Sequence, residues 1–192
     1  DQHPNVVDSM FLKARYLLSV EDLAGVSKKE RTYQALEMLM KAEASGFIQA
    51  ITDLAYFYDY GEHVTQDMRQ ATIRYQKLAS YGFAYGWAEF GSQLLWGRGI
   101  VQDEAKGLYW LNRAAEVDES TALDYLYTYW LGEGSLEKAA LIALHNAEIG
   151  YVSFDDDGYV AARLLSRELI ETNQDQQKFD QFLRFHCERN LM

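Results

Sequence analysis

Apolar residues recur along this chain at helical spacing, and the spacing restarts at a fixed interval. Ala50, Leu54 and Tyr58 fall at i, i+4 and i+8, which puts them on one face of an α-helix, while Ala71, Tyr75, Leu78 and Ala79 form a second stripe. Between the stripes lies the segment from Tyr60 to Asp67. There Gly61 is suited to end the first helix and Asp67 to cap the second. The pattern returns 36 residues later: Phe90 and Leu94 replace Leu54 and Tyr58, the loop from Trp96 to Asp103 replaces the earlier turn, and Trp110, Ala114 and Ala115 carry the second stripe. Ala50, Gly86 and Ala122 start equivalent segments, and Ala14 sits one step earlier. Small residues at matched points, Ala55 or Gly91 in the first helix and Ala79 or Ala115 in the second, let paired helices approach closely. One such hairpin cannot bury its own stripe, so the periodicity predicts a stack of helix pairs.

These residues resemble the Sel-one-like repeat family, relatives of tetratricopeptide repeats with a slightly longer unit. The best-kept copy runs from Gly86 to Asp118, with Phe90-Gly91, Gly97-Arg98-Gly99-Ile100, Asp103, Trp110 and Arg113-Ala114-Ala115. Ala50 to Gly82 keeps Leu54, Tyr58, Gly61, Val64, Asp67, Ala71, Lys77, Ala79 and Gly82, but His63 stands where the second loop glycine belongs. Ala14 to Gly46 keeps Leu18, Ala35, Lys41 and Gly46 around a drifted loop, and Ala122 to Gly150 is shorter. A weaker fifth unit begins near Ala161. The resemblance implies an all-α, right-handed α/α solenoid with about 36 residues per unit, forming one repeat domain over 1–192. Its units fall near 8–46, 47–82, 83–118 and 119–150, with capping helices over 154–192.

Composition agrees with a folded array: 48% of residues are hydrophobic and 14% aromatic, enough to build a core. The one proline, Pro4, stands outside every helix proposed from the pattern. No apolar run approaches the roughly 18 residues that span a bilayer, and neither a signal peptide nor a basic amphipathic terminus is visible. The first residue is Asp1 and not methionine, which fits a processed secreted form or a trimmed chain and leaves the compartment open between bacterial periplasm and cytoplasm. Cys187 is the single cysteine, which rules out an internal disulfide. A net charge of −11 argues against nucleic acid, whose phosphates demand clustered Lys and Arg, and favours a basic protein partner. Solubility alone also explains an acidic surface.

No catalytic constellation emerges. Of the histidines, His3 is near the terminus and His145 lacks a partner in metal-binding spacing. His186 and Cys187 are helix neighbours that point about 100° apart, which does not make a nucleophile and base pair. Ser153 to Gly158 imitates the start of a calcium loop, but the twelfth position is Leu164 in place of glutamate, so acidic helix caps explain it better. Gly97-Arg98-Gly99 is too short for a phosphate-binding fingerprint and is explained as an inter-helix turn. No metal or cofactor is expected.

By the family analogy, the inner side of each first helix lines a concave groove. The register places Tyr56, Asp59 and Tyr60 of the second unit there, with Tyr85, Ser92 and Trp96 of the third, Asp124 and Thr128 of the fourth, and Arg163 of the weak fifth. Aromatics and aspartates suit a protein interface, although Tyr56, Tyr85 and Trp96 could equally pack between repeats. The expectation is a non-catalytic protein that binds another protein through this groove. Among Sel-one-like proteins it most resembles bacterial immunity proteins that block a secreted toxin. The alternatives are an adaptor or scaffold in bacterial envelope assembly or signalling, and a hydrolase built on the repeats, for which only Asp59, Asp124 and a distant Arg163 offer titratable groups.

Overall fold

The computed structural model describes residues 4–21, 23, 25–135, 138, 139, 141–143 and 145, and within them the chain forms helices joined by turns and loops, with one isolated bridge between Leu23 and Val26. Seven helices are bounded: α1 Pro4–Ser19, α2 Lys28–Ala44, α3 Ile48–Tyr60, α4 Met68–Ser80, α5 Ala84–Trp96, α6 Glu104–Ala115 and α7 Ser120–Gly132. From α3 onward the boundaries advance by the sequence period, since Ile48, Ala84 and Ser120 open the first helices and Met68 and Glu104 open the second ones. Each helix packs on the next along the chain, and α5 also touches α7. Contacts confined to neighbours in this way define an α/α solenoid.

Local chemistry accounts for several of the boundaries. Gly61 and Gly97 end α3 and α5 in the left-handed conformation, with φ of 74° and 67°. The Asp67 carboxylate accepts hydrogen bonds from the N–H groups of Arg69 and Gln70, and Asp103 accepts one from Lys106, so both cap the helices that follow. After the second helices, Gly46, Gly82 and Asp118 stand one period apart with φ of 78°, 84° and 58°. Pro4 is inside α1, as its first residue, where the missing N–H removes no helical bond; the expectation that it lay outside every helix is corrected. The first unit departs from the period. Ser27 caps α2 through the Glu30 N–H, and the Arg31 guanidinium donates to the Glu21 carbonyl at 3.1 Å, tying down the drifted loop.

The predicted stripes are core. Ala50, Leu54, Ala71, Tyr75 and Leu78 are all buried. The small residues mark close crossings. A β-carbon on Gly91 would lie 3.0 Å from the Gly107 carbonyl oxygen, and one on Gly86 would lie 2.5 Å from Leu78 Cβ, closer than real side chains come.

Candidate functional site

Residues 53, 89 and 125 are repeat equivalents on α3, α5 and α7, and each carries a polar side chain: Asp53, Glu89 and Tyr125. Glu89 is only 4% exposed. Its Oε2 accepts a 3.0 Å hydrogen bond from the Tyr125 hydroxyl, and Tyr85, one turn earlier on α5, bonds it as well. Burial pushes the Glu89 carboxyl up to about 7; the bond from Tyr125 opposes this and the nearby Asp59 charge adds to it. The hydroxyls of Tyr85 and Tyr125 are in turn pushed up, first by burial and then by the Glu89 charge, which keeps them protonated and donating.

A second carboxylate lies behind the first. Asp59, 3% exposed in the last turn of α3, accepts from the Tyr75 hydroxyl at 3.1 Å and from Gln93 Nε2 at 3.4 Å. Ser92, also fully buried, donates to the Glu89 carbonyl at 2.9 Å and accepts from the Arg98 guanidinium at 3.0 Å. Arg98 extends over the Trp96 ring, and Trp96 meets Tyr125 edge-on at 5.5 Å. A polar network therefore ties α3, α4, α5 and α7 together beneath an aromatic rim, and every buried carboxylate in it is held by phenol or amide donors.

The rim is where a partner can reach. Tyr60 is 61% exposed and Trp96, its equivalent one period on, 39%. Tyr56 is exposed and packs on Tyr60 at 4.6 Å. Thr128 is exposed, with its hydroxyl on the Asp124 carbonyl, while Asp124 and Tyr85 are half-buried. Two expected groove residues are not on a free face. Asp59 sits at the position that Leu95 fills in the next unit, a core position, and Ser92 is too short to emerge past Arg98. Arg163, the Ser153 to Leu164 segment, His3, His186, Cys187 and the unit near Ala161 lie outside the described residues. His145 is paired with Asp118, 2.8 Å from its Oδ1.

Sequence reasoning passed over Glu89, Gln93 and Arg98. The signal was present: Tyr85, Glu89 and Gln93 fall at i, i+4 and i+8, a polar stripe on a helix that is otherwise apolar. Among the described residues no cluster of three metal-ligating side chains occurs, and no helix is long and apolar enough to cross a membrane.

No protein-family model matches the sequence, and neither does any curated protein. Solved structures do match. A Sel1 repeat protein from Oxalobacter formigenes superposes with a TM-score of 0.53 at 23% identity, over 62% of this chain and 86% of that one. The chain has the Sel1-like repeat fold. A protective antigen of uropathogenic Escherichia coli displaying the same fold matches with a TM-score of 0.55 at 22% identity, over 78% of this chain. This chain spans 34% of that antigen's length.

Proposed function

We propose that this Sel1-like array binds a basic protein partner through the rim formed by Tyr56, Tyr60, Trp96 and Thr128, with Tyr85 and Asp124 at its margin. The observation that carries the reading is the pair of period-related exposed aromatics, Tyr60 and Trp96, held over buried Asp59 and Glu89. Large rigid aromatics supply buried anchors in an interface, and an acidic chain of net charge −11 attracts a basic surface. Of the specific roles, a bacterial immunity protein that occludes a secreted toxin is preferred. An adaptor in envelope assembly or signalling is the second reading. The two differ in affinity: an immunity protein holds one cognate toxin tightly, whereas an adaptor holds several partners more weakly. Asp59, which a hydrolytic reading would enlist, is enclosed by Tyr75 and Gln93.

The test is calorimetric titration with the product of the adjacent gene. Trp96→Ala and Tyr60→Ala are expected to weaken binding by about 2 kcal/mol or more each. If both variants fold and keep full affinity, while charge reversal at Glu104 or Glu116 on the second helices abolishes it, the partner sits on another face.

A further inference from the structure

The carboxylate position that is sealed in the third unit stands open in the second. Asp53, the equivalent of Glu89, borders a cavity of about 550 Å³ between α1 and α3, walled by Arg15, Tyr16, Tyr56, Phe57, Glu62 and His63. Where Glu89 is covered by Tyr85 and Tyr125, Asp53 is paired across the cavity with the Arg15 guanidinium, whose Nη1 lies 3.2 Å and 3.3 Å from the two carboxylate oxygens. That arginine side chain is 61% exposed while Asp53 is 17% exposed, so the cation of this pair is the component free to swing away. His63 stays at the wall, edge-on to Phe57 at 4.8 Å and 3.3 Å from Glu62.

From this arrangement we infer that the cavity accepts a cationic side chain, arginine or lysine, from a basic segment of a partner protein. The inference rests on the proposal of a basic partner and names one of its anchor points. Two carboxylates, Asp53 and Glu62, line the cavity together with one guanidinium, that of Arg15. Burial raises the Asp53 carboxyl above its ordinary range despite Arg15, and Glu62 adds to the rise. Tyr16, Tyr56 and Phe57 line the same cavity, and aromatic rings are favourable neighbours for a cation. The entering group replaces Arg15 on Asp53, and Arg15 turns out to solvent.

Single-residue probes test this without any partner, and so separately from the rim reading. The acetylated amides of Arg, Lys, Gln and Glu are titrated into the labelled protein, and the backbone resonances of Asp53, Tyr56 and His63 are followed. The Arg and Lys probes are expected to saturate with affinities on the order of millimolar. Asp53→Asn is expected to weaken them at least about tenfold. Arg15→Gln, which removes the internal competitor, is expected to tighten them several-fold while the rest of the spectrum stays in place. The inference is overturned if the Gln probe binds as well as the Arg probe, if the Glu probe binds best and loses affinity in Arg15→Gln, or if no probe saturates at these residues.

Discussion

The α3–α4 and α5–α6 hairpins share one register yet pack differently. At the crossing of the first pair stand Ala55 and Ala71; at the same positions one period later stand Gly91 and Gly107. A β-carbon on Gly107 would come within 2.7 Å of the Leu95 backbone nitrogen, so the second hairpin closes to a distance that excludes even a methyl group. The tighter hairpin is also the enclosed one. Along α5, Gly86 and Ala88 to Leu95 are all buried, and the carboxylate at the shared position, Glu89, is sealed under tyrosines while Asp53 borders a cavity. The period sets which residues face which, and single β-carbons at the crossings set how near the helices come.

The largest expected effect comes from disturbing that crossing. Gly107→Ala should destabilise the fold by at least about 2 kcal/mol, within the usual range for overpacking, although alanine is the better helix former by about 1 kcal/mol. Ala71→Gly should also destabilise, by about 1 to 2 kcal/mol, through added backbone freedom and a lost methyl contact. Urea unfolding reads both. If Gly107→Ala were neutral or stabilising, helix propensity alone would govern the site and the contrast between the hairpins would disappear.

Next in size is the pH response of the sealed carboxylate. Glu89 has a folded pKa of about 7 against an ordinary value of 4.5, so the folded state holds its proton more firmly than the unfolded state. Stability from this group is fully present below about 4.5 and is lost as pH rises through about 7. Each tenfold difference in proton affinity between the two states corresponds to roughly 1.4 kcal/mol, so the full loss is on the order of 3 kcal/mol. Glu89→Gln removes the titration while keeping an acceptor for Tyr125. Its denaturation midpoint should therefore fall less than the parent's between pH 5 and pH 8. Asp53→Asn should act in the same direction but less, because Asp53 borders the open cavity and is paired with exposed Arg15. Equal responses at the two positions would mean that Glu89 is no more enclosed than Asp53.

Much of this architecture was legible because the repeat multiplies weak signals. The stripe from Ala50 to Tyr58 is ordinary taken alone, but its return at Gly86 and Ala122 identified helix pairs, and Gly61, Gly97, Asp67 and Asp103 located the turns by their own chemistry. The site was less legible. Counting along a helix places a residue on a face but does not say how deep that face lies: Asp59 was expected in the groove and occupies a core position, where its charge is tolerated because Tyr75 and Gln93, on two other helices, donate to it. Such partners are distant in sequence and carry no spacing signal. The first unit hid its helix boundaries for a different reason: Gly25, one period before Gly61, keeps the left-handed turn with φ of 80°, but α1 already ends at Ser19 and the loop between them is held by Arg31.

The smallest effect is expected where one loop substitutes a histidine for glycine. His63 has φ of 63° and Gly99, its equivalent, 71°, so both occupy the left-handed region that normally favours glycine. At Gly99 a β-carbon would run into the Met68 carbonyl and the Thr72 hydroxyl, where the loop docks against the start of α4. At His63 the side chain has room beside the cavity and gains an edge contact with Phe57. His63→Gly relieves about 1 kcal/mol or more of left-handed strain and forfeits an aromatic contact worth about 0.5 to 1.5 kcal/mol. These nearly cancel, so thermal unfolding should show a change below about 1 kcal/mol. Gly99→Ala, which adds a single methyl group, should cost more than this because it meets backbone. A large loss in His63→Gly would show instead that the ring, and not the turn, holds the second loop in place.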